Sequence, residues 1–183
     1  MLNTLKVGII GTGVIFDLNI LGYLDNTDVE IVALCNRTVE KAKEKMKKFN
    51  LNCNIQIYKD YKEMIDSEDL DIVEILLPHH LHADATIYAA EKGVKAISVQ
   101  KPMALTLKEA DAMIEACEKS GSLLSIYENF LFIQHIQKAK ELIEQDYIGD
   151  PTSLRIKIAM GGFGGWNVPE YLCSVQAIAI TAF

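Results

Sequence analysis

The sequence lacks the clustered positive charge of a nucleic-acid-binding protein. Its 183 residues include 18 Lys and Arg against 25 Asp and Glu, which gives a formal net charge of -7 at pH 7. Phosphate backbones are bound by clustered Lys and Arg, so this acidic excess argues against a nucleic-acid partner. The lysines from Lys41 to Lys48 are interleaved with Glu40 and Glu44, as on a solvated helix face.

The sequence also lacks a long apolar run and a paired-cysteine motif. No stretch approaches the ~18 apolar residues that a membrane span needs, and we read no basic and apolar leader before the first predicted strand. Cys35, Cys53, Cys117 and Cys173 lie far apart, which argues against a disulfide framework or a zinc site. We therefore expect a cytoplasmic protein with free thiols and no membrane partner.

Short Val, Ile and Leu runs, by contrast, are frequent and alternate with stretches of helical period. This order is typical of strand-helix-strand units that build a parallel sheet with helices on both faces. The fold class is therefore predicted as α/β, a doubly wound parallel Rossmann sheet. The predicted strands are about 5–10, 29–34, 55–58, 72–77, 94–99 and 122–127, and the predicted helices about 14–25, 38–49, 60–66, 81–92 and 106–120.

Polar residues at two predicted helix starts are candidates for capping. Asn36 or Thr38 precedes the second helix and is expected to cap it. Thr106, with Glu109 three residues later, predicts a capping box at the fifth helix.

The pattern changes after about residue 129. The segment "FIQHIQKAKELIEQDYIGDP" predicts a longer amphipathic helix that ends at Gly149 and Pro151, and "TSLRIKIAM" alternates like a half-buried strand. A single strand does not make a stable sheet. We therefore assign residues 1–129 to a nucleotide-binding Rossmann domain and residues 130–183 to a truncated beginning of a second α+β domain.

The stretch "VGIIGTGVIF" follows a predicted strand and precedes a predicted helix, the context in which a G-x-G pattern indicates dinucleotide binding. The first glycine permits a tight turn, and the second lets a pyrophosphate approach the backbone at the positive helix N-terminus. The alternative is a purely structural turn. The predicted cofactor-binding residues of this turn are Gly11, Thr12, Gly13, Val14 and Ile15.

Phe16 occupies the third position of this pattern. A small residue there normally allows the helix to pack closely on the strand. We expect the Phe16 ring either to push the helix and strand apart or to turn aside, which weakens the motif without removing the anion site.

The end of the second strand determines the choice of cofactor. NAD-binding folds place an acid there for the ribose 2'-hydroxyl, whereas an Arg accommodates the 2'-phosphate of NADP. This chain has Asn36 in place of the acid, followed by Arg37, which favours NADP over NAD. The alternative is that Arg37 covers the adenine by stacking.

Two loops with polar side chains follow the fourth and fifth strands, at the edge where doubly wound sheets bind ligands. The fourth strand ends in "PHHLHAD", and adjacent histidines seldom converge on one metal ion, so we expect no metal there. One or two of these histidines are interpreted as lining the cofactor, with a structural helix start as the alternative. In "SVQKPMALT", Lys101 before Pro102 is predicted to point into the crevice, the alternative being a surface lysine.

These segments resemble, in order and spacing, the Gfo/Idh/MocA family of NAD(P)-dependent oxidoreductases. The resemblance runs from Leu5 to about Glu170, and its most specific element is the Lys-Pro pair, which in that family follows a Glu where this chain has Gln100. It implies a Rossmann domain followed by an open-faced mixed sheet. It also implies reversible hydride transfer at a carbinol carbon of a small-molecule sugar, cyclitol or related polyol.

The resemblance assigns roles to individual residues. Lys101 matches the family lysine that orients substrate and nicotinamide, and is the catalytic residue that the resemblance implies. Pro78, His79 and His80 match the family's loop beside the nicotinamide ribose. Glu128 and Asn129 match its "E-N" pair near the nicotinamide. The cofactor-binding residues implied, beyond those of the turn, are Asn36, Arg37, Pro78, His79, His80, Gln100, Lys101, Pro102, Glu128 and Asn129.

The sequence leaves two functions open. The acid/base Asp and His of the family lie on a helix that this sequence does not contain, and no His follows His135. One hypothesis is an oxidoreductase present here as its N-terminal portion. The other is a nucleotide-binding module without turnover, completed by a partner. In either case, a homo-oligomer or self-association through the exposed edge of the second domain is expected.

Overall fold

Six parallel strands form one sheet. The structure, a computed structural model, describes residues 4–153 and 155 of the chain. The strand order is β3-β2-β1-β4-β5-β6, and all neighbouring strands run parallel. The strands are β1 (Leu5–Ile10), β2 (Val29–Cys35), β3 (Gln56–Tyr58), β4 (Ile72–Ile75), β5 (Ala96–Val99) and β6 (Leu123–Ile126).

A helix connects each strand to the next, so the predicted doubly wound Rossmann sheet is confirmed. None of the helices in the described ranges has the length and apolar character that crossing a membrane requires. The α-helices of the described residues are α1 (Phe16–Leu24), α2 (Val39–Lys48), α3 (Tyr61–Ser67), α4 (His82–Glu91), α5 (Leu107–Ser120) and α6 (Gln134–Glu144), and short 3-10 turns span His79–Leu81 and Asn129–Phe132.

The chain divides into two compact units between Tyr127 and Glu128. The first unit contains the whole sheet and helices α1 to α5, and the second contains α6. The predicted domain limits of 1–129 and 130–183 stay a prediction, because most residues of the second segment lie outside the described part. The strand predicted near 152–160 lies largely outside it too.

Helix α6 is shorter than the sequence predicts, and its predicted end at Gly149 is wrong. The helix ends at Glu144 because Asp146 takes a left-handed conformation with φ +58°. The N–H groups of Asp146 and Tyr147 then donate to the carbonyls of Ile143 and Leu142, at 3.0 and 3.1 Å. These two bonds satisfy the last carbonyls of the helix in the way that a Schellman turn does.

Two clusters of buried apolar side chains cover the sheet. Successive strand residues point to opposite faces, so Ile9 belongs to one cluster and Ile10 to the other. The larger cluster packs the sheet against α3, α4 and α5 through residues such as Met64, Ala89 and Met113. The strands therefore carry apolar runs rather than strict alternation, as buried parallel strands do.

The Phe16 ring lies inside the smaller cluster. Its side chain is 0% exposed and packs with Ile9, Ile20 and Leu34. The ring meets Phe49, which follows α2, edge to face with centroids 6.1 Å apart. Phe16 therefore anchors the start of α1 in the core instead of turning toward the solvent.

One of the two predicted helix caps is present. Thr106 Oγ1 accepts from the Glu109 N–H at 3.2 Å, and Glu109 Oε2 accepts from the Thr106 N–H at 3.0 Å, which confirms the capping box. The side-chain cap predicted for α2 is wrong. Thr38 makes no side-chain cap bond, and Asn36 Oδ1 instead accepts from the Thr38 N–H at 2.9 Å.

The cysteines of the described residues are free thiols. Cys35 and Cys117 are buried and Cys53 is exposed, whereas Cys173 lies outside the described residues. Burial, with help from nearby carboxylates, raises the pKa of Cys35 to about 12, and burial also raises the pKa of Cys117. Thiols in this state behave as small apolar side chains rather than as nucleophiles.

Candidate functional site

The carboxyl ends of four adjacent strands meet at one edge of the sheet. Ile10 is paired with both Cys35 and Ile75, and Ile75 is paired with Val99. The loops that follow these four residues therefore begin side by side. They contain all the predicted site residues except Glu128 and Asn129. In doubly wound sheets this edge, where the strand order reverses beside β1, is the usual ligand position.

Gly11 shapes the first of these loops. Its φ of +103° lies in the region that favours glycine, and an added Cβ would lie 2.6 Å from the Leu76 carbonyl oxygen. The Gly11 N–H donates to the Cys35 carbonyl at 2.8 Å. Gly11 thus lets the chain turn tightly while it is packed against the end of β4.

The rest of this turn offers unused hydrogen-bond donors. Within the described part of the chain, the backbone N–H groups of residues 12–15 have no acceptor. Gly13 is exposed, and a Cβ built there meets nothing within 4 Å. The donors stand at the start of α1, where the helix dipole favours an anion. This combination fits the pyrophosphate of a dinucleotide.

Asp17 lies in the first turn of α1, but its charge is neutralised by two lysines of α2. Its carboxylate pairs with Lys45 and, at 2.6 Å, with Lys48. Burial works to raise the pKa of Asp17, yet these two lysines hold it below its usual value. The helix start therefore remains suited to an incoming anion. These pairs also show that the lysine-rich face of α2 is only partly solvated.

Asn36 connects the end of β2 to the glycine turn. Its Nδ2 donates to Thr12 Oγ1 at 2.6 Å, and its Oδ1 accepts from the Thr38 N–H at 2.9 Å. Thr12 is 2% exposed, so this bond holds the buried part of the glycine turn against the end of β2. Arg37 is exposed and takes part in no ion pair among the described residues.

The loop after β4 contains two histidines that lie in different environments. His79 is half-buried and His80 is exposed. Burial, followed by the neighbouring His82, Lys101 and His80, holds the pKa of His79 below its usual value. These surroundings favour the neutral form of the His79 ring, and Lys101 lies close enough to contribute.

The loop after β5 carries the lysine that was predicted as catalytic. Lys101 is exposed, and its backbone N–H donates to Gln100 Oε1 at 2.9 Å. The next peptide bond, from Lys101 to Pro102, is cis, and Pro102 is buried. The ammonium group is thus carried by a short loop whose next residue is packed in the protein.

His82, the third histidine of "PHHLHAD", was not among the predicted cofactor-binding residues and is fully buried. Its Nδ1 lies 2.9 Å from the Pro102 carbonyl oxygen, and its Nε2 lies 2.8 Å from that of Leu77. The signal available in the sequence was a third histidine, placed at the start of a helix with an apolar face. Both ring nitrogens of His82 are occupied, and no group of three potential metal ligands occurs within the described ranges.

Glu74 is a second residue that sequence analysis missed. It is 0% exposed, and its Oε1 accepts from Asn19 Nδ2 at 2.7 Å and from the Tyr127 hydroxyl at 2.8 Å. Its other oxygen has no partner among the described residues. Burial raises the pKa of Glu74, although these donors oppose the rise. A single Glu inside the apolar run "DIVEILL" was the available signal.

We expect Glu74→Gln to change how stability depends on pH. Because burial raises the pKa in the folded state, the folded chain binds more protons than the unfolded one between the ordinary Glu pKa of about 4.3 and the raised folded pKa, and stability falls as pH rises through that window. The free energy of unfolding of the variant should therefore rise relative to that of the wild type across the window, by at most about 1.4 kcal/mol per pH unit. Urea unfolding at several pH values measures this. The exposed Glu115→Gln is the control, and parallel curves for Glu74→Gln and wild type would contradict the expectation.

Glu128 and Asn129 belong to the second unit. Glu128 is half-buried and Asn129 is exposed at the start of a 3-10 turn. Their predicted position near the nicotinamide stays a prediction.

Comparison with known proteins identifies a family and several dehydrogenases that are similar to this chain. A family model for Gfo/Idh/MocA proteins, described as an oxidoreductase family with an NAD-binding Rossmann fold, matches residues 5–128. D-apiose dehydrogenase of Paraburkholderia graminis is 35% identical over 146 residues, which cover 80% of this chain and 38% of that protein. Inositol 2-dehydrogenase of Salmonella typhimurium is 30% identical over 174 residues, which cover 92% of this chain and 48% of that protein.

Solved structures agree with the sequence relatives. An oxidoreductase from Agrobacterium radiobacter, in complex with NAD+, L-tartaric acid and magnesium, matches with a TM-score of 0.74 and 28% identity, over 81% of this chain and 42% of that one. The chain thus spans less than half the length of these relatives. Because the family model matches well over half of the chain, this protein belongs to the Gfo/Idh/MocA family of oxidoreductases with an NAD-binding Rossmann fold.

Proposed function

We propose that this chain supplies the cofactor-binding part of a dehydrogenase that acts on a sugar, cyclitol or related polyol. The observation that carries the proposal is the row of free backbone donors at residues 12–15, beside an open Gly13 and at the start of a helix. The names of the relatives, D-apiose dehydrogenase and inositol 2-dehydrogenase, support the substrate class.

Each group of residues at the sheet edge has its own role in this proposal. A nicotinamide dinucleotide, when bound, supplies the hydride acceptor or donor. The turn from Gly11 to Ile15 would hold its pyrophosphate, and Pro78, His79 and His80 would line its nicotinamide end. Lys101, which lies near His79, would orient the substrate hydroxyl by donating a hydrogen bond from its ammonium group.

We further propose that the cofactor is NADP. No carboxylate is available at the end of β2 to bind a ribose 2'-hydroxyl, because Asn36 stands there with its amide bound to Thr12 and to the Thr38 backbone. The exposed guanidinium of Arg37 follows directly and has no carboxylate partner among the described residues. A free guanidinium suits a phosphate dianion.

Arg37→Ala should weaken NADPH binding by about tenfold or more and leave NADH binding nearly unchanged. A charge-assisted bond to the 2'-phosphate contributes roughly 1.5–3 kcal/mol, and NADH lacks that phosphate. Isothermal titration calorimetry with both cofactors measures the difference. Lys119→Ala, which removes one positive charge from the exposed end of α5, is the control. Equal losses for NADPH and NADH would contradict the assignment.

The same titration tests the proposed function. Binding of NADPH or NADH by the wild-type chain supports it, and no binding at millimolar cofactor overturns it. A second candidate is a nucleotide-binding module without turnover, in which the free donors at residues 12–15 bind a nucleotide and no reaction follows. Steady reduction of the nicotinamide in the presence of inositol or a pentose would exclude that candidate.

We also propose that the protein works in the cytoplasm and self-associates. Cys35 and Cys117 are free thiols in the core, a state that a reducing compartment maintains. The strand predicted near 152–160 would offer an unpaired edge to a second copy.

A further inference from the structure

We propose that His82 is a positioning residue that holds the Lys101 loop against the His79 loop and thereby orients the nicotinamide end of the cofactor. The inference rests on the proposed function, because it assigns a role at the same sheet edge. His82 is not expected to touch the cofactor or the substrate, since its ring is 0% exposed.

The two loops have few other connections. The sheet ladder between β4 and β5 ends where the Gln100 N–H donates to the Ile75 carbonyl at 3.0 Å. Beyond that point, within the described residues, the His82 ring is the group that lies within hydrogen-bonding distance of both loops, at the carbonyl oxygens of Leu77 and Pro102. Without this ring, no hydrogen bond among the described residues would join the Lys101 loop to its neighbour beyond the base, and the loop would be held there by the packing of Pro102 alone.

The chemistry of the ring decides which contact is a hydrogen bond. Both partners are carbonyl oxygens, and a neutral imidazole donates from one nitrogen only. A buried donor or acceptor that has no hydrogen-bond partner lowers the stability of the folded protein. This positioning role requires the proton to be on Nδ1, which faces the Pro102 carbonyl at 2.9 Å, so that the bond restrains the residue directly after Lys101. The rings of His79 and His82 meet edge to face, with centroids 5.6 Å apart, so the His79 loop follows the position of His82.

Two amide substitutions separate the contacts. His82→Asn places an amide near the position of Nδ1 and can still donate to the Pro102 carbonyl, whereas His82→Gln places its amide near the position of Nε2 and keeps the Leu77 contact. We expect His82→Asn to bind NADPH within about threefold of the wild type. We expect His82→Gln to bind it about tenfold or more weakly.

A cofactor fragment separates positioning from a general structural role. The probe is 2'-phospho-ADP-ribose, which keeps the adenosine and pyrophosphate of NADPH but lacks the nicotinamide. Both variants should bind it as the wild type does, because the glycine turn and Arg37 are untouched. Thr86→Val, which alters another fully buried polar side chain of α4, is the control and should bind NADPH normally.

The outcomes distinguish the two proposals. If the wild type binds neither NADPH nor the fragment, both the proposed function and the role of His82 are overturned. If the wild type binds NADPH and His82→Gln binds it equally well, or loses the fragment to the same extent, only the role of His82 is overturned. Should His82→Gln fail to fold, nitrogen-15 NMR of the wild-type ring decides, because an unprotonated Nδ1 would show that the Pro102 contact is not a hydrogen bond.

Discussion

Phe16→Ala is expected to lower the free energy of unfolding by about 3–5 kcal/mol, the usual cost of removing a buried aromatic ring. The ring is fully buried among Ile9, Ile20 and Leu34, and it meets Phe49 edge to face. Its removal would leave a cavity between the start of α1 and the sheet. Urea unfolding followed by far-ultraviolet circular dichroism measures the loss.

Two further substitutions test why the loss occurs. Phe16→Gly restores the small residue of the G-x-x-G pattern, yet it should cost at least as much as Phe16→Ala, because the core has been built around the ring and Gly also lowers helix propensity. Leu18→Ala on the same helix should cost much less, since Leu18 is 59% exposed. A stable Phe16→Gly variant that binds NADPH better than the wild type would contradict this interpretation.

Gly11→Ala is the second substitution with a large expected effect, about 2–4 kcal/mol of stability together with a loss of cofactor binding. The added methyl would meet the backbone oxygen of Leu76 at 2.6 Å while the residue remains at φ +103°. Backbone atoms directly after β4 cannot move aside as a flexible side chain can. The turn would have to open, which would displace the donors of residues 12–15.

Gly13→Ala is the matched control for Gly11→Ala. A Cβ at Gly13 meets nothing within 4 Å, so stability should change by less than about 1 kcal/mol. The methyl would nevertheless occupy the side from which a pyrophosphate approaches, and NADPH binding should weaken. Thermal unfolding and calorimetric titration of both variants separate the two effects. Equal stability losses for the two variants would contradict the role assigned to Gly11.

Local features of the fold were predictable because short-range interactions determine them. Each strand and helix of the sheet lies within about three residues of its predicted bounds, since apolar periodicity reports directly which face of an element is buried. The capping box of Thr106 and Glu109 follows from residues that are neighbours along the chain. The predicted end of α6 was wrong because Asp146, rather than Gly149, is the first residue after the helix with a left-handed conformation.

The site was only partly predictable. The sequence placed the glycine turn, Arg37 and Lys101 at strand ends, and parallel strands bring their carboxyl ends to one edge. It did not show that the Asn36 amide is bound to Thr12, nor that one histidine of "PHHLH" is buried between two loops. The cofactor contacts of Glu128 and Asn129 stay predictions.

The sequence by itself determined the order of strands and helices and the family, because both depend on patterns within short segments. The tertiary structure alone decided which polar groups meet. Glu74 binds Asn19 and Tyr127, which are 55 and 53 residues away in the chain, and His82 reaches Pro102 across 20 residues. Such contacts depend on how separate elements pack, and local periodicity contains no information about the distance between side chains of different elements. For the same reason, the place of the Phe16 ring was decided by the core that surrounds it.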